Sequence, residues 1–223
     1  MAALLTDRIL EAGAKLGLDL SAQQAQLLAD YLALIQKWTK VYNLTAVRDP
    51  EEMLTHHLFD SLSVIAPLQR QLAGMGKDVG KGEGAKLLDV GSGAGLPGVV
   101  IAICCPAVKV DCVDTVGKKA AFIQQVAVSL GLKNLRGVHA RVESLTDGYD
   151  VVSSRAFASL VDFTTWSRAA VGEGGVWMGM KGRRPVDELA ALPASVAVFH
   201  VEQLEVPGLD AERCIVWMRP VSS

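Results

Sequence analysis

The sequence predicts an α/β fold: a mainly parallel sheet, covered by helices on both faces, that follows an all-helical N-terminal region. Three observations carry this. From Lys86 onward, apolar runs of strand length alternate with segments of helical period. Residues 1–73 show helical period alone. Between them "GMGKDVGKGEGA", Gly74 to Ala85, is glycine-rich and charged, with nothing to bury, and reads as a flexible connection. The expected organisation is therefore a helical region 1–73, a connection 74–85 and an α/β domain 86–223.

In the N-terminal region, "SAQQAQLLADYLALIQKWTKVYN" places apolar residues at Leu27, Leu28, Tyr31, Leu32, Leu34, Ile35 and Trp38, one face of a helix. Ser21 and Gln24 have the spacing of a capping box. Asp49-Pro50-Glu51-Glu52 marks a second helix start, with Asp at the N-cap and Pro in the first turn. That helix is expected to run through "MLTHHLFDSLSVIAPL". Beyond the connection, strands are expected at 86–90, 108–113, 135–139, 149–153, 174–180, 195–204 and 213–219. Helices are expected near 96–105, 117–130, 158–171 and 185–191.

Composition excludes several classes. Half of the 223 residues are hydrophobic, so a full core is available and disorder is not expected. No apolar run approaches the roughly 18 residues of a membrane span. The start "MAALLTDRILEAG" carries an acid and lacks the basic flank of a signal peptide, so a cytoplasmic location is expected. Cys104, Cys105, Cys112 and Cys214 show no C-x-x-C spacing and no partners for a zinc site; buried thiols and no metal are expected. A net charge of −2 gives no global field toward nucleic acid, so any RNA contact must come from local basic clusters.

The chemistry concentrates in "KLLDVGSGAGLPGVVIA", Lys86 to Ala102, where a strand ends in a glycine-rich loop and a helix follows. On a parallel sheet, ligands bind at such carboxyl ends. There is no Gly-Lys-Ser/Thr for a P-loop, and G-x-G-x-x-G fits only in a late register, with Leu96 at the sixth position of the natural one. Asp89 would repel a pyrophosphate but suits an ammonium or sulfonium group. Asp114 ends the next strand, 23 residues past Gly91, where an acid can accept both ribose hydroxyls. It also reads as an N-cap for the Val116–Leu130 helix. NAD and S-adenosylmethionine sites share the ribose acid, so Asp114 alone does not choose between them.

"D-V-G-S-G-A-G" with its downstream acid resembles the first two motifs of class I S-adenosylmethionine methyltransferases, which implies a Rossmann-like, seven-stranded, mostly parallel sheet with S-adenosyl-L-methionine on the loop residues Asp89, Gly91, Ser92, Gly93 and Leu96. The substrate-side segment reads "YDVVSSRAFASL". It has no Asn/Asp-Pro-Pro-aromatic motif, no cysteine nucleophile and no evident general base. That suits an acceptor with its own lone pair, such as guanine N7, and catalysis by positioning. Arg155, at a strand end, can orient a base edge or a phosphate. Lys181, Arg183 and Arg184 in "MKGRRP" form a second basic group that is either a phosphate contact or a solvated charge run.

Three segments, "KWTKVYNLTAVRDPEEMLTHHLFDSL", "LLDVGSGAGLPG" and "VVSSRAFASL", resemble the small-subunit ribosomal RNA guanine-N7 methyltransferases, the glucose-inhibited division protein B family, across nearly the whole chain. The resemblance implies methyl transfer to N7 of one guanine of 16S rRNA, at position 527 in standard rRNA numbering, with the small ribosomal subunit as partner; a monomer is expected. Residue by residue it implies cofactor contacts at Gly91 and Leu96, the ribose acid at Asp114, an adenine-side loop at Val142 and Glu143 in "ARVES", and Arg155 at the boundary of cofactor and substrate. It also matches Asn43, His57, Asp60 and Ser61 to the N-terminal signature, with Asn43, His57 and Lys181 as candidate substrate contacts. His56 stands where relatives often carry Arg or Lys. A small-molecule methyltransferase, an NAD-linked oxidoreductase and a non-catalytic RNA-binding module are the competing readings.

Overall fold

The computed structural model describes residues 2–42, 44–77 and 84–221. Asn43 and residues 78–83 of the expected connection lie outside the described residues.

Helices α1 (Ala2–Lys15) and α2 (Ala22–Tyr42) open the chain. The capping box forms in full: the Gln24 N–H donates to Ser21 Oγ at 3.1 Å and the Ser21 N–H donates to Gln24 Oε1 at 3.0 Å. Asp49 caps α3 (Pro50–Met53) through the N–H groups of Glu51 and Glu52, with Pro50 in the first turn.

The helix expected to continue from there is broken. A π-helical segment, Leu54–Phe59, follows α3, then α4 (Asp60–Leu62), a turn, and α5 (Ile65–Gly74). Pro67 explains the restart. A proline lacks the N–H for the ladder and clashes with the carbonyl four residues back, so it is tolerated only in a first turn, and α5 places it there.

The α/β part contains β1 (Lys86–Val90), α6 (Gly98–Cys104), β2 (Lys109–Asp114), α7 (Gly117–Leu130), β3 (Leu135–His139), β4 (Tyr149–Arg155), α8 (Leu160–Trp166), β5 (Val171–Lys181), α9 (Val186–Ala190), β6 (Val196–Leu204) and β7 (Arg213–Pro220). Among the described residues these strands form a seven-stranded sheet in the order β3-β2-β1-β4-β5-β7-β6. The β1, β2, β3, β4 and β5 pairings are parallel, and β7 is antiparallel to both β5 and β6. The order reverses between β1 and β4, which opens a crevice at their carboxyl ends. The expected 158–171 helix is shorter than foreseen: α8 ends at Trp166, a 3-10 turn covers Arg168–Ala170, and β5 begins at Val171.

The N-terminal helices do not form a separate core. Ile9, Leu28, Tyr31, Ile35 and Leu58 pack in one cluster with Leu87, Val99, Ile103, Phe122 and Ile123 of the α/β part. The Trp38 ring lies 5.3 Å from that of Phe122 on α7. Gln24 Nε2 donates to the carbonyls of Ile103 and Cys104, occupying acceptors that the end of α6 leaves open. All four cysteines are free and buried, and burial raises the Cys104, Cys105 and Cys112 thiols above their ordinary range, so they stay protonated.

Candidate active site

The crevice at the switch point holds two adjoining chambers. One, of about 550 Å³, is lined by Gly91, Asp114, Val116, Val142, Glu143 and Phe157 among others. The second, of about 510 Å³, is lined by Thr45, His57, Asp60, Ser92, Gly93, Leu96, Arg155, Lys181 and Arg213 among others. Gly91 and Ala156 line both, so the chambers meet at the carboxyl ends of β1 and β4.

Local sequence builds this junction. Gly91 has φ +64°, and a Cβ there would stand 2.2 Å from Phe157 Cδ2. Glycine is therefore required twice, for the left-handed backbone and for the aromatic ring laid on the loop. Ala156 also adopts a positive φ of 53°, which costs a non-glycine residue about 1 kcal/mol and marks the junction as a place of stored strain.

Asp114 sits at the floor of the first chamber and is 6 % exposed. Its Oδ2 accepts the Gly93 N–H at 3.1 Å, its Oδ1 accepts the Val116 N–H at 2.8 Å, and Lys119 Nζ lies 3.7 Å from Oδ2. A carboxylate offers about four acceptor sites, so capacity for two hydroxyls remains. Asp114 is not itself the N-cap of α7, which is Val116, but it bonds that residue's N–H. Val142 is buried in the wall and Glu143 is exposed at the rim, both on a 3-10 turn.

Asp89 does not reach either chamber. It is fully buried; Ser153 Oγ donates to Oδ1 at 2.9 Å and the Gly98 N–H donates to Oδ2 at 3.0 Å. Burial raises its carboxyl to about 6 despite those two bonds. Its place among the ligand contacts is thus corrected: it fastens the glycine loop's helix to β4 from below. Gly98 permits this, since a Cβ there would meet Cys112 Sγ at 2.3 Å.

In the second chamber Asp60, 3 % exposed, joins two arginines. Arg155 Nη1 donates to Asp60 Oδ2 at 2.9 Å and to the His56 carbonyl at 3.0 Å. Arg213 Nε donates to Asp60 Oδ1 at 2.9 Å. His57 is buried, with Nε2 at 2.7 Å from Thr45 Oγ1. Burial and then the Arg155 charge lower its pKa to about 4, so the imidazole is neutral at physiological pH. Lys181 lines the chamber, yet its ammonium already donates to Glu188 Oε1 and Oε2 and to the Ala158 carbonyl, at 3.1, 2.8 and 3.0 Å. These bonds tie β5 to α9. Arg183 and Arg184 are exposed and, with Lys181, line a separate surface hollow beside α9.

The sequence matches the GidB family, described as rRNA small subunit methyltransferase G, over residues 24–216. It is 68 % identical to the ribosomal RNA small subunit methyltransferase G of Acidovorax sp. (strain JS42) over 93 % of this chain and 92 % of that one. The chain belongs to this family. A second member, from Polaromonas naphthalenivorans, is 62 % identical over 97 % of this chain and 99 % of its own length. Membership makes the protein a methyltransferase dependent on S-adenosylmethionine. Among solved structures, TrmN from Thermus thermophilus is 20 % identical with a TM-score of 0.53, covering 72 % of this chain and 53 % of that one. A TehB-like SAM-dependent methyltransferase from Corynebacterium glutamicum is 15 % identical with a TM-score of 0.51, covering 86 % and 99 %. These two share the family's fold.

Of the residues expected from the sequence, Gly91, Asp114, Val142 and Glu143 come together around the first chamber, and Gly91, Ser92, Gly93, Leu96, His57, Arg155 and Lys181 around the second. Ser61 is fully buried beside Asp60. Sequence reasoning missed Arg213, Ala156, Thr45, Phe157 and Tyr31. Tyr31 is buried on α2 and its hydroxyl donates to the Ala94 carbonyl at 2.7 Å, bracing the loop. Arg213 begins β7, and only the reversed direction of that strand brings its first residue to this rim. The "LEVPGLDAERCIVWMRP" segment held it in plain view, without a signal of strand direction. Among the described residues no group of three or more His, Cys, Asp or Glu is placed to hold a metal, and no helix is long and apolar enough to cross a membrane.

Proposed function

We propose that the protein transfers the methyl group of S-adenosylmethionine to N7 of one guanine of 16S rRNA in the small ribosomal subunit, acting as a cytoplasmic monomer. The observation that carries this reading is the pair of joined chambers, one with a ribose-type carboxylate and one lined by arginines and a neutral imidazole, in a chain of this family.

The residues present fit the cofactor. Asp114 has acceptor capacity for the ribose hydroxyls, Val142 and Phe157 give apolar walls for the adenine, and Glu143 stands at the rim. Gly91, Ser92, Gly93 and Leu96 would hold the methionine end, close to the second chamber. When bound, the cofactor supplies an electrophilic methyl sulfonium. The chain's own work is positioning. Guanine N7 carries an unshared pair at neutral pH, so no base has to remove a proton, and the second chamber offers no carboxylate free to do so, since both Asp60 oxygens face arginines. Orientation in the chamber can contribute roughly 7–11 kcal/mol. The neutral His57, tied to Thr45, adds no charge to the chamber wall.

The test is transfer of labelled methyl from S-adenosylmethionine to small subunits lacking the modification, with the labelled nucleotide mapped. Label at one guanine N7 is the expected result. Label on a metabolite and none on RNA would overturn the substrate and select the small-molecule reading.

A further inference from the structure

The second chamber contains a charged group that the methyl transfer itself does not require. Asp60 is nearly fully buried and each of its oxygens takes one guanidinium, Arg155 Nη1 at Oδ2 and Arg213 Nε at Oδ1, both at 2.9 Å. Two further carbonyl contacts fix the arginines: Arg155 Nη1 on His56 O and Arg213 Nη1 on Glu212 O at 2.8 Å. The π-helical segment that precedes α4 sets Asp60 at this point, and the reversed β7 sets Arg213 opposite it. Among the described residues, Arg155 Nε and Nη2 and Arg213 Nη2 have no protein partner.

Charge decides what this pair can hold. Two guanidiniums and one carboxylate leave one positive charge, and Lys181 is offset by Glu188. Among the lining residues Asp60 is the acid, and both its oxygens are taken. The chamber therefore offers donors of positive charge to an anion. The guanine edge is a poor candidate. An arginine fork on guanine engages O6 and N7 together, and a donor on N7 would occupy the lone pair that must attack the methyl group. A phosphodiester accepts the same fork with no such conflict.

We propose that Arg155 and Arg213, held as a pair by Asp60, clamp a backbone phosphate of the RNA beside the methylated guanine. The inference rests on the RNA reading above. Asp60 acts as a positioning residue: it neutralises one of the two charges and points the other edges of both arginines at the chamber. The arginines fix the nucleotide's backbone, and Arg213 lines the second chamber but not the first, where Asp114 stands.

The experiment compares the wild type with Arg213→Ala, Arg213→Lys and Asp60→Asn in methyl transfer to unmodified small subunits, at salt between about 50 and 200 mM, beside calorimetric binding of S-adenosylmethionine. Arg213→Ala is expected to raise KM for the subunit roughly tenfold or more, the size of one charge-assisted bond. kcat and cofactor affinity should change little. The plot of log kcat/KM against log salt should become shallower by about 0.7, the contribution of one phosphate on single-stranded RNA. Arg213→Lys should restore the salt slope but not the full KM, because the charge remains and the fork does not. Asp60→Asn should raise KM in the same direction; should it fail to fold, the two Arg213 variants decide. A wild-type KM and salt slope in Arg213→Ala would overturn the clamp, and so would a loss of kcat at unchanged slope, which would assign Arg213 to the base. Absence of label on RNA with the wild type itself would instead remove the RNA reading. The clamp is then judged by calorimetry with a nucleoside monophosphate, and equal affinity for wild type and Arg213→Ala, or no binding to either, overturns it.

Discussion

Asp89 and His57 are buried titratable groups whose effects on stability oppose each other. Burial first, and then Arg155, holds His57 at about 4 against an ordinary 6.5. Between those values the unfolded chain binds the extra proton, so this group's contribution is present above 6.5 and is lost as pH falls toward 4. Burial holds Asp89 at about 6 against 3.8. There the native state binds the extra proton, so its contribution is present at low pH and is lost as pH rises through 6. The two act in opposite directions across this window. Asp89→Asn, which keeps the shape, should make stability rise more steeply with pH than in the wild type. His57→Gln should make it fall. Urea unfolding across the window reads both, and parallel profiles for all three proteins would refute the assignment. Asp114 belongs to the same scale. Asp114→Ala should weaken S-adenosylmethionine binding by roughly tenfold or more, the loss of hydrogen bonds to a charged acceptor. Unchanged affinity by calorimetry would remove Asp114 from the site. The residue types at Gly91, Asp114 and Arg155 were readable because their chemistry is tied to strand ends. Asp89 was misread because a one-dimensional pattern places a carboxylate near a loop but not on one side of a sheet.

At the scale of elements, α2 is part of the glycine loop's support. Its capping box and apolar face were legible in the sequence, since both are local patterns. The hydroxyl of Tyr31 on Ala94 O was not, because that contact spans 63 residues. Tyr31→Phe leaves a buried carbonyl unpaired and should cost about 1–2 kcal/mol in urea unfolding. Affinity for S-adenosylmethionine should fall with it, and unchanged stability and affinity would show that the loop holds itself. The segment from Leu54 to Phe59 makes the same point differently. Its sequence is a good helix pattern, yet the native segment takes π geometry, which is frequent at functional sites. The segment carries His57 and leads into Asp60, so the departure from regular helix coincides with the chamber wall.

Across the whole molecule, helices and sheet bury their apolar residues in a shared cluster, so neither part keeps its core without the other. Thermal unfolding should therefore show one transition, with near-UV and far-UV signals coincident. Two separated transitions would mean that the helical region 1–73 and the domain 86–223 are independent units. The α/β class was legible because strand and helix periods differ, and the alternation dictates a parallel sheet. By itself the sequence determined that class, the strand-end loop with its glycines, the acid that ends the next strand and the motifs shared with its family. All of these are short-range patterns, and local sterics and periodicity enforce them. Only the tertiary structure decided that Asp89 lies beneath the loop, that Lys181 is spent on Glu188, and that Arg213 joins Arg155 across Asp60. Those outcomes depend on strand order and direction, which bring residues 153 positions apart to one carboxylate, and no local pattern carries that information.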